Sequence, residues 1–287
     1  MDIQFLRKFF PDKLYLEIMF YAHFKQFFSL RRPVSLNEKI QWLKLYDRNP
    51  NYIKLVDKVK VKDYVAGIIG QKYIIPTLAT WDKAEDINLE LLPNEFVLKC
   101  NHDSHCVFVC SDKNRFDIVA AREKLRKRLN FNMYWYGREW PYKNVHPRII
   151  AEEYIESING LLDFRVYCIN GSPFCIYVYK NSGEDTGKKP EVESCDIYDT
   201  EWKRMAFRQH YGPSKDGVKK PDELAQMLEL SRKLSEGTLF LRCDFYILEG
   251  KLVVGELTLF PGGGFSKFIP AEYDEKIGAL LHLEVKK

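Results

Sequence analysis

The chain contains no run of about 18 apolar residues, so nothing in it reads as a membrane-spanning helix. It has no G-x-x-x-x-G-K-[ST] sequence, which removes a Walker-type phosphate loop. The 7 cysteines are odd in number, irregularly spaced and without a C-x-x-C pair. That usage points to free thiols in a reducing cytoplasm, not to a disulfide framework. The opening MDIQFLRKFF lacks the continuous apolar region of a signal peptide. There is no internal repeat and no low-complexity tract. A large excess of charge of one sign is lacking too: the net charge of +4 gives no argument for a nucleic-acid partner. What is there suits a globular protein. With 287 residues, 46% hydrophobic and 29% charged, the chain can bury a substantial core as one large domain or two to three lobes.

The chemistry gathers near the C-terminus, in RCDFYILEGKLVVGELTLFPGGGF, which begins at Arg242. Alternating apolar residues of β-rich type predict a strand on each side of Glu249-Gly250-Lys251, with Gly250 available for positive φ. Read as a three-residue turn, this segment pairs Leu248 with Leu252. Asp244 then falls opposite Glu256, and Arg242 opposite Thr258. Side chains alternate along a strand, so all four share one sheet face. Two carboxylates, a hydroxyl and a guanidinium make a poor core. They suit a divalent cation and an anionic phosphate, because Mg²⁺ takes one or two carboxylates plus substrate phosphates. A solvated face with a cross-strand ion cluster is the alternative.

Upstream, residues 1 to about 32 mix Phe5, Phe9, Phe10, Tyr15, Phe20, Tyr21, Phe24, Phe27 and Phe28 with Arg7, Lys8, Lys13, Lys25, Arg31 and Arg32, and Pro11 divides them. Two readings stand: a helix whose aromatic side packs on the main body, or an anchor lying on an anionic membrane surface. Ser35-Leu-Asn-Glu38 is a capping box and starts a helix. Asp57-Lys58 opens another, with Lys58 and Lys62 on one face at i and i+4. Phe96–Cys100 and Cys106–Cys110 are the arms of a hairpin around the polar loop Asn101-His102-Asp103-Ser104-His105. Such a loop beside Lys99 can cradle phosphates through backbone N–H groups. The His and Cys spacing matches no known zinc finger. Asp112 to Asn130 predicts an amphipathic helix with Ile118, Ala121, Leu125 and Leu129 inside. Its basic side, Arg122 to Arg128, is either solvated or turned to an acidic substrate. The aromatic loop Tyr134 to Tyr142 stacks on sugar or packs under a lobe interface. Arg148 to Ile155 is a strand ending in Glu152 and Glu153. Leu162–Ile169 and Pro173–Tyr179 form a hairpin on Asn170-Gly171, with Asp163 and Arg165 on one face. Lys180 to Lys220 reads as a long polar loop or lid. A helix follows Pro221 and stops at Gly237.

Six segments in this order, DKVKVKDYV, FVLKCNHDS, REWPYKNVHPRIIAEEYI, LLDFRVYCING, RCDFY and GELTLFPGGGF, resemble the ATP-grasp superfamily, and within it the TupA-like ATP-grasp proteins. The resemblance runs from roughly Ser35 to Leu283. It implies an α+β fold in which two α+β lobes clasp ATP behind an N-terminal helical segment. The matching division is residues 1–63 for the N-terminal segment, 64–153 for the central lobe with the phosphate-loop hairpin, and 154–287 for the C-terminal lobe with the metal site.

By the same resemblance, Lys58 and Lys99 touch the nucleotide phosphates, and Asn101, His102, Asp103, Ser104 and His105 form the mobile phosphate loop. Glu152, Glu153, Tyr154 and Ile155 form the hinge that reads adenine, with Glu152 near its amino group. Arg165 is a phosphate-side basic residue. Asp244, Glu256 and Thr258 hold Mg²⁺, and Arg242, with Lys99, serves the reacting groups. Pro261 to Gly264 is the acceptor-side loop. Thr258 departs from the usual asparagine, offering a neutral hydroxyl oxygen. His105 stands where glycine is expected, which hinders close backbone approach at about 1 kcal/mol.

The implied reaction is ATP-dependent carboxylate–amine ligation through an acylphosphate, with ATP and Mg²⁺ as cofactors. TupA-like proteins are associated with surface-polysaccharide assembly, so the implied partners are a hexuronic acid and an amino acid. The implied place is the cytoplasm, at the inner face of the cell membrane where the N-terminal segment makes contact. A non-catalytic ATP-binding module and a sugar kinase are the rival readings; the sequence identifies no base for the latter.

Overall fold

The computed structural model describes residues 9–103, 106–155, 162–181 and 192–284; Ser104 and His105 lie outside them. Helix α1 (Asp12–Phe24) follows Pro11 and turns Tyr15, Leu16 and Phe20 into the protein. Helix α2 (Leu36–Tyr46) starts on the expected capping box: Ser35 Oγ accepts the Glu38 N–H, and Glu38 Oε2 accepts the Ser35 N–H at 3.2 Å. The short α3 (Tyr52–Val56) and α4 (Lys60–Ile69) follow. Lys58 does not lie on α4. Asp57 Oδ1 accepts the Val59 N–H at 3.0 Å, an Asx turn that leaves Lys58 just before the helix.

The first sheet is antiparallel, in the order β1 (Thr77–Trp81), β4 (Ile149–Glu153), β2 (Phe96–Cys100), β3 (Val107–Cys110). Phe96, Leu98, Cys100, Ile149 and Ala151 bury one face with Leu125 of α5 (Ile118–Leu129). Val97, Lys99 and Glu152 point to the other face by alternation. Helix α5 starts later than Asp112, because Asp117 Oδ1 caps the Ala120 N–H at 3.0 Å. Its basic side is only partly solvated: Arg122 donates to the Ile87 carbonyl at 2.6 Å, and Arg128 pairs with buried Asp103. The aromatic segment begins with α6 (Tyr134–Gly137) and serves packing. Tyr134 Oη donates to Asp12 at 2.7 Å, and fully buried Arg138 lies 4.4 Å from the Tyr15 ring, so both fasten α1.

The second sheet is also antiparallel, in the order β7 (Val192–Asp199), β6 (Ser172–Asn181), β5 (Leu162–Ile169), β8 (Phe240–Leu248), β9 (Lys251–Thr258). Helix α7 (Leu224–Ser235) covers one face and α8 (Glu272–Gly278) lies against α2. The α+β class is therefore as expected. The expected loop from Lys180 to Lys220 is not what is found. Val192–Asp199 is an edge strand with Cys195, Asp196, Ile197 and Tyr198 buried. The buried Asp196 hid it: Ser214 Oγ donates to its carboxylate at 2.5 Å and Arg204 pairs with it, so a core position reads as polar. All 7 cysteines are buried free thiols.

The β8–β9 hairpin reaches the expected opposition by another route. Its turn is two residues, Glu249 and Gly250, both at positive φ (49° and 73°), and Leu248 pairs with Lys251. Left alone, that register would set Asp244 beside Gly255. A bulge between Asp244 and Phe245 absorbs Gly255 instead and restores Asp244 opposite Glu256 and Arg242 opposite Thr258. A Cβ on Gly255 would sit 2.7 Å from the Tyr246 ring, so only glycine fits the bulge.

Candidate active site

Two cavities of about 230 Å³ each meet on the open face of the second sheet. The first lies between the sheets and is lined by Lys58, Val97, Lys99, Glu153, Ile155, Asp163, Arg165, Asp244, Tyr246 and Glu256. The second is lined by Arg165, Tyr167, Tyr177, Tyr179, His210, Arg242, Pro261, Gly262 and Ser266. Arg165 lines both.

The charges between the cavities form a lattice. Arg242 donates from Nε to Asp244 Oδ1 at 2.6 Å and from Nη2 to Oδ2 at 2.5 Å, and its Nη2 lies 3.4 Å from Glu256. Lys58 Nζ is 3.6 Å from the other Glu256 oxygen. Arg165 binds Asp163 at 2.7 and 2.9 Å, lies 3.8 Å from Asp244, and stacks over Tyr179 at 4.0 Å. Burial pushes the Asp244 carboxyl up to about 6 against the pull of Arg242. Burial would also raise Glu256, but Lys58, Arg242 and Arg165 outweigh it and hold that carboxyl at about 2. The two opposed carboxylates therefore differ in proton affinity.

Glu152 also lines the cavity between the sheets. Its carboxylate is buried between Lys62, at 2.8 Å, and Lys99. Lys62 also donates to the Ile75 carbonyl at 2.7 Å. Glu152 thus fixes two ammonium groups beside the cavity between the sheets. Glu153 and Ile155 line the cavity, and Tyr154 follows the end of β4. In the loop after β2 the side chains of Asn101, His102 and Asp103 are buried. Asn101 Nδ2 donates to Asp57 Oδ1 and to the His146 carbonyl, each at 2.9 Å. The His102 ring sits against the Phe131 carbonyl at 2.9 Å, and burial lowers its proton affinity. Asp103 holds Arg128. These three support the loop, and the Lys58 N–H, donating to the Asn101 carbonyl at 3.0 Å, ties the loop to the other lysine.

The sequence reading missed the support beneath Pro261–Gly264. Asn37, Gln41 and Lys44 are buried on α2. Asn37 donates to the Ser266 carbonyl at 2.9 Å, Gln41 to those of Gly263 and Gly264 at 3.0 and 2.8 Å, and Lys44 to Gly263 at 2.6 Å. A Cβ on Gly264, at φ 67°, would meet Gln41 at 2.5 Å, so this contact needs glycine. Burial pushes Lys44 down to about 8 while Glu139 opposes it. Burial also raises Glu139 to about 7, against Lys44. A polar stripe at i, i+4 and i+7 inside an amphipathic helix was the available signal.

The donor set fits Mg²⁺. Asp244 and Glu256 are paired oxygen donors, and Thr258 Oγ1 and Asp163 Oδ1 are buried without a hydrogen-bond partner. Among the described residues no three His, Cys, Asp or Glu side chains converge on a metal position.

No curated protein matches the sequence. Among solved structures, an L-amino acid ligase from Bacillus licheniformis aligns with a TM-score of 0.52 at 12% identity, covering 95% of this chain and 64% of that one. A D-alanine–D-alanine ligase from Bacillus anthracis aligns with a TM-score of 0.45 at 16% identity, covering 72% and 57%. The ATP-grasp ligase PsnB, in a complex containing Mg and ADP, gives 0.43 at 13%, covering 86% and 65%. The chain thus spans less than two thirds of each of these structures. The fold is that of the ATP-grasp enzymes, which use ATP and Mg²⁺. The model of the TupA-like ATPgrasp family matches residues 38–282, and the chain belongs to that family.

Proposed function

We propose that the protein is an ADP-forming carboxylate–amine ligase that joins a hexuronic acid carboxylate, of a surface polysaccharide or its precursor, to an amino acid amine. The observation that carries this reading is the meeting of the two cavities at Arg165, with Arg242 lining the second beside it. The nucleotide side presents Lys58 and Lys99 for phosphates. The acceptor side presents two guanidinium groups and tyrosine rings, which suit a carboxylate on a sugar ring.

Phosphoryl transfer needs positioning and charge neutralisation above all. Lys58 and Lys99 bind the phosphate chain through point charges, and Glu152 holds Lys99 in place. Arg242 is the pivot: it now pairs with Asp244 and Glu256, and on that reading it turns to the acceptor carboxylate as the carboxylate oxygen attacks the γ-phosphorus. Asp244 and Glu256, with Thr258 beside them, would hold Mg²⁺, which would supply the charge neutralisation that the carboxylates themselves cannot. Arg165, lining both cavities, takes up charge on the acylphosphate. Lys44 and Gln41 keep the acceptor loop still. The amine then displaces phosphate from the acyl carbon.

The test is to supply ATP, Mg²⁺, D-glucuronate or D-galacturonate, and hydroxylamine. A sugar hydroxamate with ADP is expected, and Asp244→Asn should suppress both. AMP would mean adenylation. A phosphorylated sugar stable to hydroxylamine would mean a kinase, and no nucleotide turnover would mean a non-catalytic module.

We propose further that the enzyme works in the cytoplasm, resting on an anionic membrane surface through α1. The inner side of α1 packs, yet Leu14, Ile18 and Tyr21 on its outer side are exposed, with Phe10 before it and Phe27 after it. Exposed Lys13, Lys25, Arg31 and Arg32 surround them, while Asp12 is engaged by Tyr134 and Glu17 lies 4.0 Å from Lys13. An apolar strip with a basic border fits anionic headgroups. Among the described residues no helix is long and apolar enough to cross a membrane.

A further inference from the structure

Amide formation needs one group that the site above lacks. An amino acid amine arrives as an ammonium ion and must lose a proton before its lone pair can attack. The acceptor cavity holds Arg165 and Arg242, both unable to accept one, and among its described lining residues there is no carboxylate, lysine or cysteine. Asp163 and Asp244 line the neighbouring cavity instead, and each pairs with one of those arginines. The sheet tyrosines do not serve: burial pushes Tyr167 up to about 12 and raises Tyr177 and Tyr179 well above the usual range. The lining also holds one imidazole, His210, whose neutral ring carries a nitrogen lone pair.

His210 is held where a base is needed. Arg208 and Ile269 exchange two backbone hydrogen bonds of 2.9 Å, which lay the 208–210 segment along the end of the glycine loop. His210 Nε2 then lies 2.9 Å from Ser266 Oγ. Ser266 is fixed in turn, because Asn37 donates to its carbonyl. With the proton on Nδ1, His210 Nε2 accepts from the Ser266 hydroxyl, and Ser266 Oγ keeps lone pairs toward the cavity.

We infer that His210, relayed by Ser266, is the base that deprotonates the amine nucleophile; this rests on the ligase reading above. Ser266 gives its proton to His210 Nε2 as it takes one from the ammonium. The freed nitrogen lone pair forms the bond to the acyl carbon. The bond from that carbon to the phosphate oxygen breaks, its electron pair leaves with inorganic phosphate, and the second nitrogen proton goes to that phosphate. His210 later releases its proton to solvent.

Nucleophiles that need no base separate this role from a structural one. Hydroxylamine is unprotonated at neutral pH, whereas glycine is an ammonium ion. Wild type, His210→Asn and Ser266→Ala are to be given ATP, Mg²⁺ and D-glucuronate, with hydroxylamine or glycine, and both sugar products quantified. General-base catalysis is worth about 10²–10⁴-fold, so the ratio of glycine amide to hydroxamate should fall on the order of 10²-fold in His210→Asn. The fall should be smaller in Ser266→Ala, where water can replace the hydroxyl. An unchanged ratio in His210→Asn overturns the assignment, whether both products persist or both decline together. So does a wild type that makes hydroxamate but couples glycine at no pH between about 6 and 9. Absence of hydroxamate from the wild type would instead refute the ligase reading, and a hydroxylamine-stable sugar phosphate would transfer His210 to a hydroxyl acceptor.

Discussion

Replacing Glu152 by glutamine asks whether this residue reads adenine or sets the lysines. Its carboxylate is 7% exposed and lies between Lys62 and Lys99, which are 16% and 15% exposed. At the 2.8 Å Lys62 contact the Coulomb attraction is about 6 kcal/mol for an effective dielectric of about 20. Desolvation offsets part of that, and removing one partner of a buried pair costs about 3 kcal/mol where some solvent reaches the others. Glu152→Gln should therefore lower Tm in the absence of nucleotide by about 6 °C. ATP should then raise the variant's Tm by more than it raises the wild type's, because the phosphates supply the missing negative charge. Burial alone would raise the Glu152 carboxyl, but Lys99 and then Lys62 hold it below the usual range. Its stabilisation is thus present above the ordinary glutamate value and lost as pH falls through the lowered one. The difference between wild type and variant should shrink in acid. Differential scanning fluorimetry from pH 3 to 8, with and without ATP or GTP, reads all of this. An unchanged Tm together with a selective loss of ATP over GTP binding would refute the argument and restore the adenine role.

Lys99→Ala and Lys58→Ala should each weaken ATP binding about tenfold to a hundredfold, the value of about 1.5–3 kcal/mol for a charge-assisted contact; unchanged calorimetric affinity in both variants would remove the phosphate assignment. Ile18→Glu with Phe27→Glu should abolish co-sedimentation with vesicles of anionic lipid while leaving turnover of a soluble acceptor intact. Equal binding of both proteins to such vesicles, or wild-type dimerisation that the substitutions break, would show that another surface or a second copy covers the strip.

Much of the site was legible because its pieces are local. The Asn170-Gly171 turn, the capping box at Ser35 and the strand ending at Lys99 each follow from a few neighbouring residues, and the order of the motifs connected them. What was illegible depends on contacts distant in sequence. Asp196 reads as loop until Arg204 and Ser214 are placed against it. The ion pairs of Glu152 stay hidden until β2 and α4 bring Lys99 and Lys62 to it. Arg128 reads as solvated until Asp103 folds underneath. In each case a buried charge found its partner outside its own strand, helix or loop, where the pattern of its own segment does not reach.

The β8–β9 hairpin shows the limit of arguing from alternation. A three-residue turn with regular pairing and a two-residue turn with one bulge lead to the same opposition of Asp244 and Glu256. The site end of the hairpin therefore does not reveal which occurs. The turn end does, since Glu249 and Gly250 both take positive φ and Leu248 faces Lys251 rather than Leu252. The bulge is fixed separately, by Tyr246, whose ring leaves no room for a Cβ on Gly255. Turn chemistry fixes register only as far as the next irregularity. Beyond it, the register is set by the requirement that Asp244, Glu256 and Arg242 face one another. Here the constraint of the site reached the strand before the constraint of the turn did.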